Sequence, residues 1–233
     1  MGSTSKTIVL ITGGNTGLGY EMVKKLSSDH PETHQILMGT RSLSKGEEAH
    51  KALGSPTNVT PVQLDVTSDT SIDALVSTIS SQHGKLDILI NNAGTAGRDL
   101  GETGPGSFHS EGKSLREVYT HVFSTNTISS AVVTEKLIPL LSLSDLPKII
   151  FVSSLLGSIS SMSAKEKEVS PLPWYSSSKT ALNYLMAYYA MRYGPKGWKV
   201  NAACPGLNAT AINGVPLSEK TDPRNGAVRK EGR

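Results

Sequence analysis

Six short segments of the chain are predicted to be strands, and apolar residues occupy nearly every position of several of them. These segments are rich in β-branched residues and lie at 6–12, 34–39, 59–65, 86–91, 148–153 and 199–204. Strands that are apolar on both faces are typical of a parallel sheet covered by helices on both sides. Segments of helical periodicity separate them, near 17–29, 42–53, 69–83, 111–142 and 173–193. This alternation predicts an α/β fold: a doubly wound parallel sheet joined by right-handed βαβ crossovers.

Two irregular stretches follow strand ends. Residues 95–112 are rich in glycine, and residues 158–174 are polar with prolines near their end. Ligands of α/β sheets bind beyond the carboxyl ends of the strands. We therefore expect both stretches to form walls of a substrate site.

Composition limits the class of protein. The 233 residues are 37% hydrophobic and 18% charged, which suits a single domain with a sizeable core. We predict one domain over 1–233, with a sheet-forming core over 6–206 and a short segment over 207–233. The net charge of +3 is too small and too scattered to indicate nucleic-acid binding.

A few residues indicate where in the cell the protein is expected and whether it binds a metal. The start MGSTSKTIVLI is too short to be a secretory signal, and no apolar run approaches a membrane span. The single cysteine, Cys204, excludes an internal disulfide and fits a reducing compartment, so we expect a cytoplasmic protein. Because Cys204 ends an apolar strand, it is expected to be packed. The six histidines show no ligand spacing, so no metal site is predicted.

The stretch TGGNTGLG lies where the first strand ends and the first helix begins. Gly13 permits a tight turn, Gly17 lets the backbone approach a pyrophosphate, and Gly19 lets the helix pack close to the strand. The helix N-terminus offers N–H groups and a positive dipole end to phosphates. A glycine turn that binds no ligand is the ordinary alternative.

Further motifs follow other strands. They are NNAG at 91–94, SSLLG at 153–157, YSSSK at 175–179 and PGLNAT at 205–210. Each lies at the carboxyl end of a strand or on a helix that would face that edge, so they predict one convergent site.

This set of motifs, in this order, resembles the short-chain dehydrogenase/reductase family. The match is TGxxxGxG, NNAG, a serine, YxxxK and the Pro-Gly loop, and it covers about residues 6–210. The stretch LMGTRSLSKGEEA resembles the carbonyl-reductase-like branch of the family, and the sequence as a whole resembles fungal members.

The resemblance implies catalytic roles. Tyr175 and Lys179, four residues apart on a helix, share one face. A neighbouring ammonium and an oxidised nicotinamide would lower the phenol pKa from about 10, so that Tyr175 exchanges a proton with the substrate. Ser154, chosen over Ser153 because LLG follows it as in the family, would bond the substrate oxygen. Asn126 matches the family's helix asparagine, which supports a water path to the lysine; a buried structural role is the alternative.

The end of the second strand indicates which dinucleotide binds. Family members that use NAD carry an acid there, whereas this chain has Thr40 followed by Arg41. An arginine offers a planar fork for a 2′-phosphate, so NADP(H) is predicted, although Arg41 can also be an ordinary surface residue. Some NADP-dependent relatives carry a basic residue where Thr16 stands.

The remaining cofactor contacts follow from the resemblance alone. Asp65 and Val66 match the adenine contacts, and Asn92 lines the cofactor cleft. In the Pro-Gly loop, Asn208 stands where valine or isoleucine is common, and its backbone N–H can still bind the carboxamide. The full predicted cofactor set, with Tyr175 and Lys179, is Gly13, Asn15, Thr16, Gly17, Leu18, Gly19, Arg41, Asp65, Val66, Asn92, Ala93, Gly94, Pro205, Gly206, Asn208 and Thr210.

The predicted activity is NADP(H)-dependent interconversion of a small-molecule carbonyl and an alcohol, with reduction favoured when the cofactor is NADPH. Two alternatives stay open: an isomerase, dehydratase or cyclase on the same fold, and a nucleotide-binding protein without catalysis. The aromatic helix segment 183–193 indicates either core packing or a subunit face, which leaves a homo-oligomer open.

The C-terminal segment departs from the family pattern. Relatives continue past the Pro-Gly loop to a seventh strand, whereas no strand-like run follows Cys204 here. We expect a six-stranded sheet in which the strand at 199–204 has an exposed edge. The stretch DPRNGAV predicts a helix start with Asp222 as the cap and Pro223 in the first turn, cut short by RKEGR. A truncated or alternative product of a longer enzyme is one interpretation.

Overall fold

The computed structural model describes residues 6–100, 113–163, 172–209, 212 and 216–227, without the side chain at position 99. Within these residues, parallel strands form one six-stranded sheet. Its strands are β1 (Thr7–Ile11), β2 (His34–Thr40), β3 (Val59–Gln63), β4 (Ile88–Asn91), β5 (Lys148–Val152) and β6 (Lys199–Ala203). Their order is β3-β2-β1-β4-β5-β6, which confirms the predicted doubly wound sheet.

Helices connect the strands and cover both faces of the sheet. They are α1 (Gly17–Asp29), α2 (Leu43–Ala52), α3 (Asp69–His83), α4 (Leu115–Phe123), α5 (Ser129–Leu141), α6 (Ile159–Ser163), α7 (Pro173–Tyr193) and α8 (Pro223–Ala227). The direction of winding reverses between β1 and β4, which are neighbours in the sheet. Ligands of such sheets bind beside the strand ends at this reversal.

Alternate residues of β1 belong to different cores. Ile8 and Leu10 pack with residues of α3, α5 and α7, whereas Val9 and Ile11 pack with residues of α1 and α2. Leu10 aligns with Leu37 of β2 and Leu89 of β4, and all three are buried. The near-continuous apolar runs of the sequence therefore reflect burial on both faces of the sheet.

The predicted helix near 111–142 is two helices with a π-helical segment between them. Residues 111 and 112 lie outside the described chain. Helix α4 begins after Ser114, whose hydroxyl accepts the Glu117 N–H while the Glu117 side chain bonds back to the Ser114 N–H. The π-helical segment Ser124–Ile128 then holds one of the predicted site residues, Asn126. Periodicity cannot reveal one wider turn, because it shifts the helix register only locally.

Strand β6 lies at one edge of the sheet and pairs with β5. In the described residues after it there is no strand, as expected. The predicted C-terminal helix start is confirmed: α8 begins at Pro223, and Asp222 Oδ1 accepts the Arg224 N–H at 2.9 Å. Helix α8 packs on α1 and lies close to the Pro-Gly loop.

The aromatic side chains of helix α7 lie both in the core and on the surface. Tyr189 and Tyr193 are buried in the core, whereas Tyr184, Tyr188 and Met191 are exposed. The exposed side chains fit a subunit face, so a homo-oligomer stays a prediction.

Candidate active site

The glycine turn after β1 has the geometry that its sequence predicts. Gly13 and Gly17 have φ values of +63° and +53°, which favour glycine. A Cβ on Gly19 would lie 2.1 Å from the Gly13 carbonyl oxygen, so α1 approaches the strand end more closely than any side chain allows. Thr16 precedes the helix in an extended conformation and makes no side-chain capping bond. The first N–H groups of α1 thus retain bonding capacity for an anion.

This turn is bonded to the end of β4. The Asn92 Nδ2 donates to the carbonyl oxygens of Thr12 and Gly13, at 2.9 and 3.1 Å. The backbone N–H groups of Asn92 and Ala93 both donate to Thr12 Oγ1, each at 2.9 Å. Thr12 therefore holds the glycine turn against the NNAG motif. This role of Thr12 was not predicted from the sequence, although Thr12 stands directly before the first glycine of the motif.

We expect Gly19→Ala to destabilise the fold and abolish dinucleotide binding. The new methyl group meets backbone at 2.1 Å, and relieving such a contact costs about 1–3 kcal/mol and displaces α1 from β1. Thermal unfolding and cofactor titration check this. Gly194→Ala is the matched control, because Gly194 has no atom within 4 Å of its Cβ position. Wild-type cofactor affinity in Gly19→Ala would contradict the close approach.

The ends of β2 and β3 present the other cofactor candidates. Thr40 is buried, and its Oγ1 donates to the Ser42 carbonyl oxygen at 3.0 Å. Arg41 follows and is exposed. After β3, Asp65 Oδ1 accepts the Thr67 N–H and hydroxyl, which shapes the turn, and Val66 is half-buried. Asn15 and Leu18 lie on the glycine turn and the first turn of α1.

Lys179 is a buried cation in α7. It is 4% exposed, and its Nζ donates to the Val152 carbonyl oxygen at 2.8 Å. The Nζ lies 5.7 Å from the centroid of the Tyr175 ring. Burial lowers the pKa of Lys179 to about 8. A Cβ on Gly94 would lie 3.6 Å from this Nζ, so the NNAG motif also reaches the lysine.

Tyr175 lies beside Ser154. The Ser154 hydroxyl lies close enough to the phenol to favour the phenolate. Burial has the larger effect, however, and raises the pKa of Tyr175, with a further increase from the charge of nearby Cys204. The predicted fall of this pKa is therefore not produced by the protein groups alone.

The two candidate serines have different partners. Ser153 is buried, and its Oγ donates to Asn183 Oδ1 at 2.6 Å. Ser154 is half-buried, and its Oγ accepts the Leu156 N–H at 3.2 Å. These contacts leave Ser154 as the serine beside Tyr175, which favours the predicted choice.

Asn126 connects three elements beneath the site. Its Oδ1 accepts the Thr95 N–H at 2.8 Å, and its Nδ2 donates to the Thr95 carbonyl oxygen and to Ser178 Oγ, each at 2.9 Å. It is fully buried. The amide thus ties the π-helical segment to the end of β4 and to α7. Its part in a water path to Lys179 stays a prediction.

The Pro-Gly loop closes the site after β6. Gly206 has a φ value of +81°, and the side chain of Asn208 donates to the carbonyl oxygens of Pro205 and Gly206, each at 3.1 Å. Asn208 is buried, and a Cβ on Gly226 of α8 would lie 2.7 Å from its amide. The predicted cofactor residue Thr210 lies outside the described residues.

The prediction that Cys204 is packed was wrong. The strand ends at Ala203, and Cys204 is exposed at the carboxyl edge of the sheet. Its Sγ accepts the Leu155 N–H at 3.1 Å, next to Ser154. Its place directly before the Pro-Gly loop was the sequence signal for a site position. In the described residues, no group of three His, Cys, Asp or Glu side chains forms a metal site.

Comparison with known proteins agrees with this arrangement. A family model described as short chain dehydrogenase matches residues 7–220, which is most of the chain. The chain belongs to the short-chain dehydrogenase/reductase family. Its sequence is 35% identical to the short-chain dehydrogenase/reductase ATR10 of the fungus Stachybotrys chlorohalonatus, over 91% of this chain and 74% of that one. This confirms the predicted family and the predicted resemblance to its fungal members.

Solved structures of this short-chain dehydrogenase/reductase family have the same fold. Salutaridine reductase from Papaver somniferum is 29% identical, with a TM-score of 0.78 over 95% of this chain and 93% of that one. An NADPH-bound carbonyl reductase from chicken fatty liver is 25% identical, with a TM-score of 0.77 over 95% and 88%. These similarities support a nicotinamide-dependent oxidoreductase of the carbonyl-reductase-like type.

Proposed function

We propose that this protein is an NADP(H)-dependent oxidoreductase that interconverts a carbonyl and an alcohol, with Tyr175 as the acid/base. The observation that carries the proposal is that Ser154 lies beside Tyr175, whose ring centroid is 5.7 Å from the buried ammonium of Lys179. The glycine turn and the uncapped start of α1 fit the pyrophosphate of a dinucleotide.

The chain's own groups have distinct tasks in this proposal. When bound, the nicotinamide supplies or accepts the hydride at the substrate carbon. Tyr175 gives its phenolic proton to the carbonyl oxygen in reduction and takes it back in oxidation. Ser154 donates a hydrogen bond to that oxygen as negative charge develops on it.

Lys179 acts on Tyr175 through charge. Its Nζ is 5.7 Å from the ring and shielded from water, so the ammonium is only weakly screened there. The positive charge opposes the effect of burial on the phenol. The same side chain lies close to Gly94 and is placed to bond the ribose hydroxyls of the cofactor.

The choice of NADP(H) rests on Arg41. Its guanidinium is exposed at the end of β2, where Thr40 replaces the acid of NAD-dependent relatives. The NADPH named in the chicken carbonyl reductase structure supports this choice. Arg41 gives a 2′-phosphate a charged, bidentate partner.

A carbonyl panel tests the proposal. Purified protein is mixed with ketones and aldehydes, and loss of reduced-nicotinamide absorbance is followed with NADPH and NADH in parallel. We expect reduction of at least one carbonyl, faster with NADPH. Product formed without net NADPH consumption would instead indicate an isomerase, dehydratase or cyclase.

The proposal also covers the binding partners of the protein and its cellular compartment. We expect a small-molecule carbonyl or alcohol as substrate and no nucleic acid or membrane, in a cytoplasmic setting. In the described chain, no helix has the length and hydropathy that a bilayer crossing requires.

Arg41→Ala is expected to weaken NADPH binding by about 1.5–3 kcal/mol and to leave NADH binding nearly unchanged, because only NADPH carries the 2′-phosphate. Titration of both cofactors by intrinsic fluorescence measures this. Lys51→Ala, at an exposed cation near the far end of α2, is the matched control. An equal loss for both cofactors would show that Arg41 does not discriminate between them.

A further inference from the structure

We propose that Asn183 is a positioning residue for Ser154, because its amide holds the turn that presents this serine to Tyr175. The inference rests on the proposed function, in which Ser154 and Tyr175 act on the substrate oxygen. Asn183 itself is not among the residues that we expect to touch substrate or cofactor.

The Asn183 amide bonds to both sides of the Ser154 turn. Its Oδ1 accepts the hydroxyl of Ser153 at 2.6 Å, directly before the catalytic serine. Its Nδ2 donates to the carbonyl oxygen of Gly157 at 3.1 Å, three residues after the serine. One side chain therefore fixes both ends of the short segment that carries Ser154.

Other contacts from α7 support the same turn. Lys179 Nζ bonds to the Val152 carbonyl oxygen, and Thr180 Oγ1 bonds to the Gly157 carbonyl oxygen at 3.1 Å. A Cβ on Gly157 would lie 2.7 Å from the Lys179 carbonyl carbon, so the turn packs directly on the helix backbone. Asn183 adds the only amide that reaches both Ser153 and Gly157 among the described contacts.

The spacing along α7 explains why this matters for catalysis. Tyr175, Lys179 and Asn183 follow one another at intervals of four residues, so they lie along one face of the helix. The helix that carries the phenol thus also fixes the serine. The distance between the two hydroxyls is then set by contacts with one rigid element, whereas a turn held by the sheet alone would move independently of Tyr175.

An apolar residue at position 183 would leave the Ser153 hydroxyl without its acceptor, and the Gly157 carbonyl would keep only the bond from the Thr180 hydroxyl. Ser153 and Gly157 are both buried, so the turn would shift to recover hydrogen bonds. A displacement of about 1 Å at a reacting group can cost about a hundredfold in rate. Loss of Asn183 should therefore act through Ser154.

A double-mutant cycle separates this role from general stabilisation. The variants are Asn183→Ala, Ser154→Ala and the double variant, and the readout is the single-turnover rate of ketone reduction with saturating NADPH. We expect Asn183→Ala to slow the wild type about 10- to 100-fold with NADPH affinity within about twofold. On the Ser154→Ala background, the same change should cost less than about threefold, because the serine it positions is gone.

Two further variants keep the test decisive. Ser153→Ala removes one of the two contacts of Asn183. It should lower the single-turnover rate by a smaller factor than Asn183→Ala, and this loss should also be non-additive with Ser154→Ala. This variant provides the test if Asn183→Ala does not fold. Asn58→Ala is the matched control: Asn58 is a buried amide that bonds to the carbonyl oxygens of Ser27 and His30, remote from the site. Its effect on the rate should be small and additive with Ser154→Ala.

Two outcomes separate the positioning role of Asn183 from the proposed function. Additive losses for Asn183→Ala and Ser154→Ala in an active enzyme overturn the positioning role and leave the proposed function standing. A wild-type protein that reduces no carbonyl with NADPH overturns the proposed function, and this inference with it.

Discussion

Tyr175→Phe is expected to reduce carbonyl turnover by at least about a hundredfold, while NADPH binding stays within about twofold. The change removes one hydroxyl from a ring that packs against Val118, Val122 and Trp174, so the fold should be retained. Steady-state rates and cofactor titration measure both effects. Because the hydroxyl is the proposed proton donor, the loss should appear in kcat.

The same helix offers a matched control for this variant. Tyr184 is 73% exposed on α7, and Tyr184→Phe should leave turnover unchanged. Near-wild-type turnover in a folded Tyr175→Phe variant would remove the acid/base role from this residue.

Lys179→Met is expected to abolish most turnover and to stabilise the fold at pH 7. The pKa of the buried ammonium is about 8 in the folded protein, against an ordinary value of 10.5. That difference corresponds to about 3 kcal/mol of destabilisation while the lysine is protonated in both states. Loss of the bond to the Val152 carbonyl oxygen offsets part of this, which leaves a gain of about 1–2 kcal/mol.

The pH dependence of this gain has a definite sign. Below pH 8 both folded and unfolded lysines hold their proton, so the cost of burying the charge is fully present. Between about pH 8 and 10.5 the unfolded chain binds more protons, so the wild type becomes more stable relative to the variant as the pH rises. The stability difference between the two proteins should therefore shrink across this window.

Denaturant unfolding of both proteins at several pH values checks this expectation. Lys51→Met, at an exposed lysine, should show no such trend. A difference in stability that is constant between pH 7 and 10 would contradict the buried, perturbed ammonium.

The sheet and the glycine turn after its first strand could be predicted from local patterns. Val9, Leu10 and Ile11 are all apolar, and in the fold they alternate between two cores, so a continuous apolar run was enough to predict a sheet buried on both faces. Gly13 and Gly17 occur where positive φ is needed, and such a need is visible as a glycine in the sequence.

Contacts between distant segments could not be predicted in the same way. The bond from Ser153 to Asn183 joins residues thirty positions apart, and no pattern in either segment specifies it. The exposure of Cys204 depends on where β6 stops, and strand ends are poorly determined by composition. The rise in the Tyr175 pKa depends on burial by α4, which the sequence does not reveal.

In the proposed reaction, hydride passes to a carbonyl carbon while Tyr175 supplies the proton. Reduction of a ketone with NADPH carrying two deuterium atoms at C4 of the nicotinamide, followed by mass spectrometry of the alcohol, tests it most directly. We expect one deuterium on the carbinol carbon of the product from wild-type protein and none from Tyr175→Phe over the same time. An alcohol without deuterium, or equal labelling by the two proteins, would contradict the account.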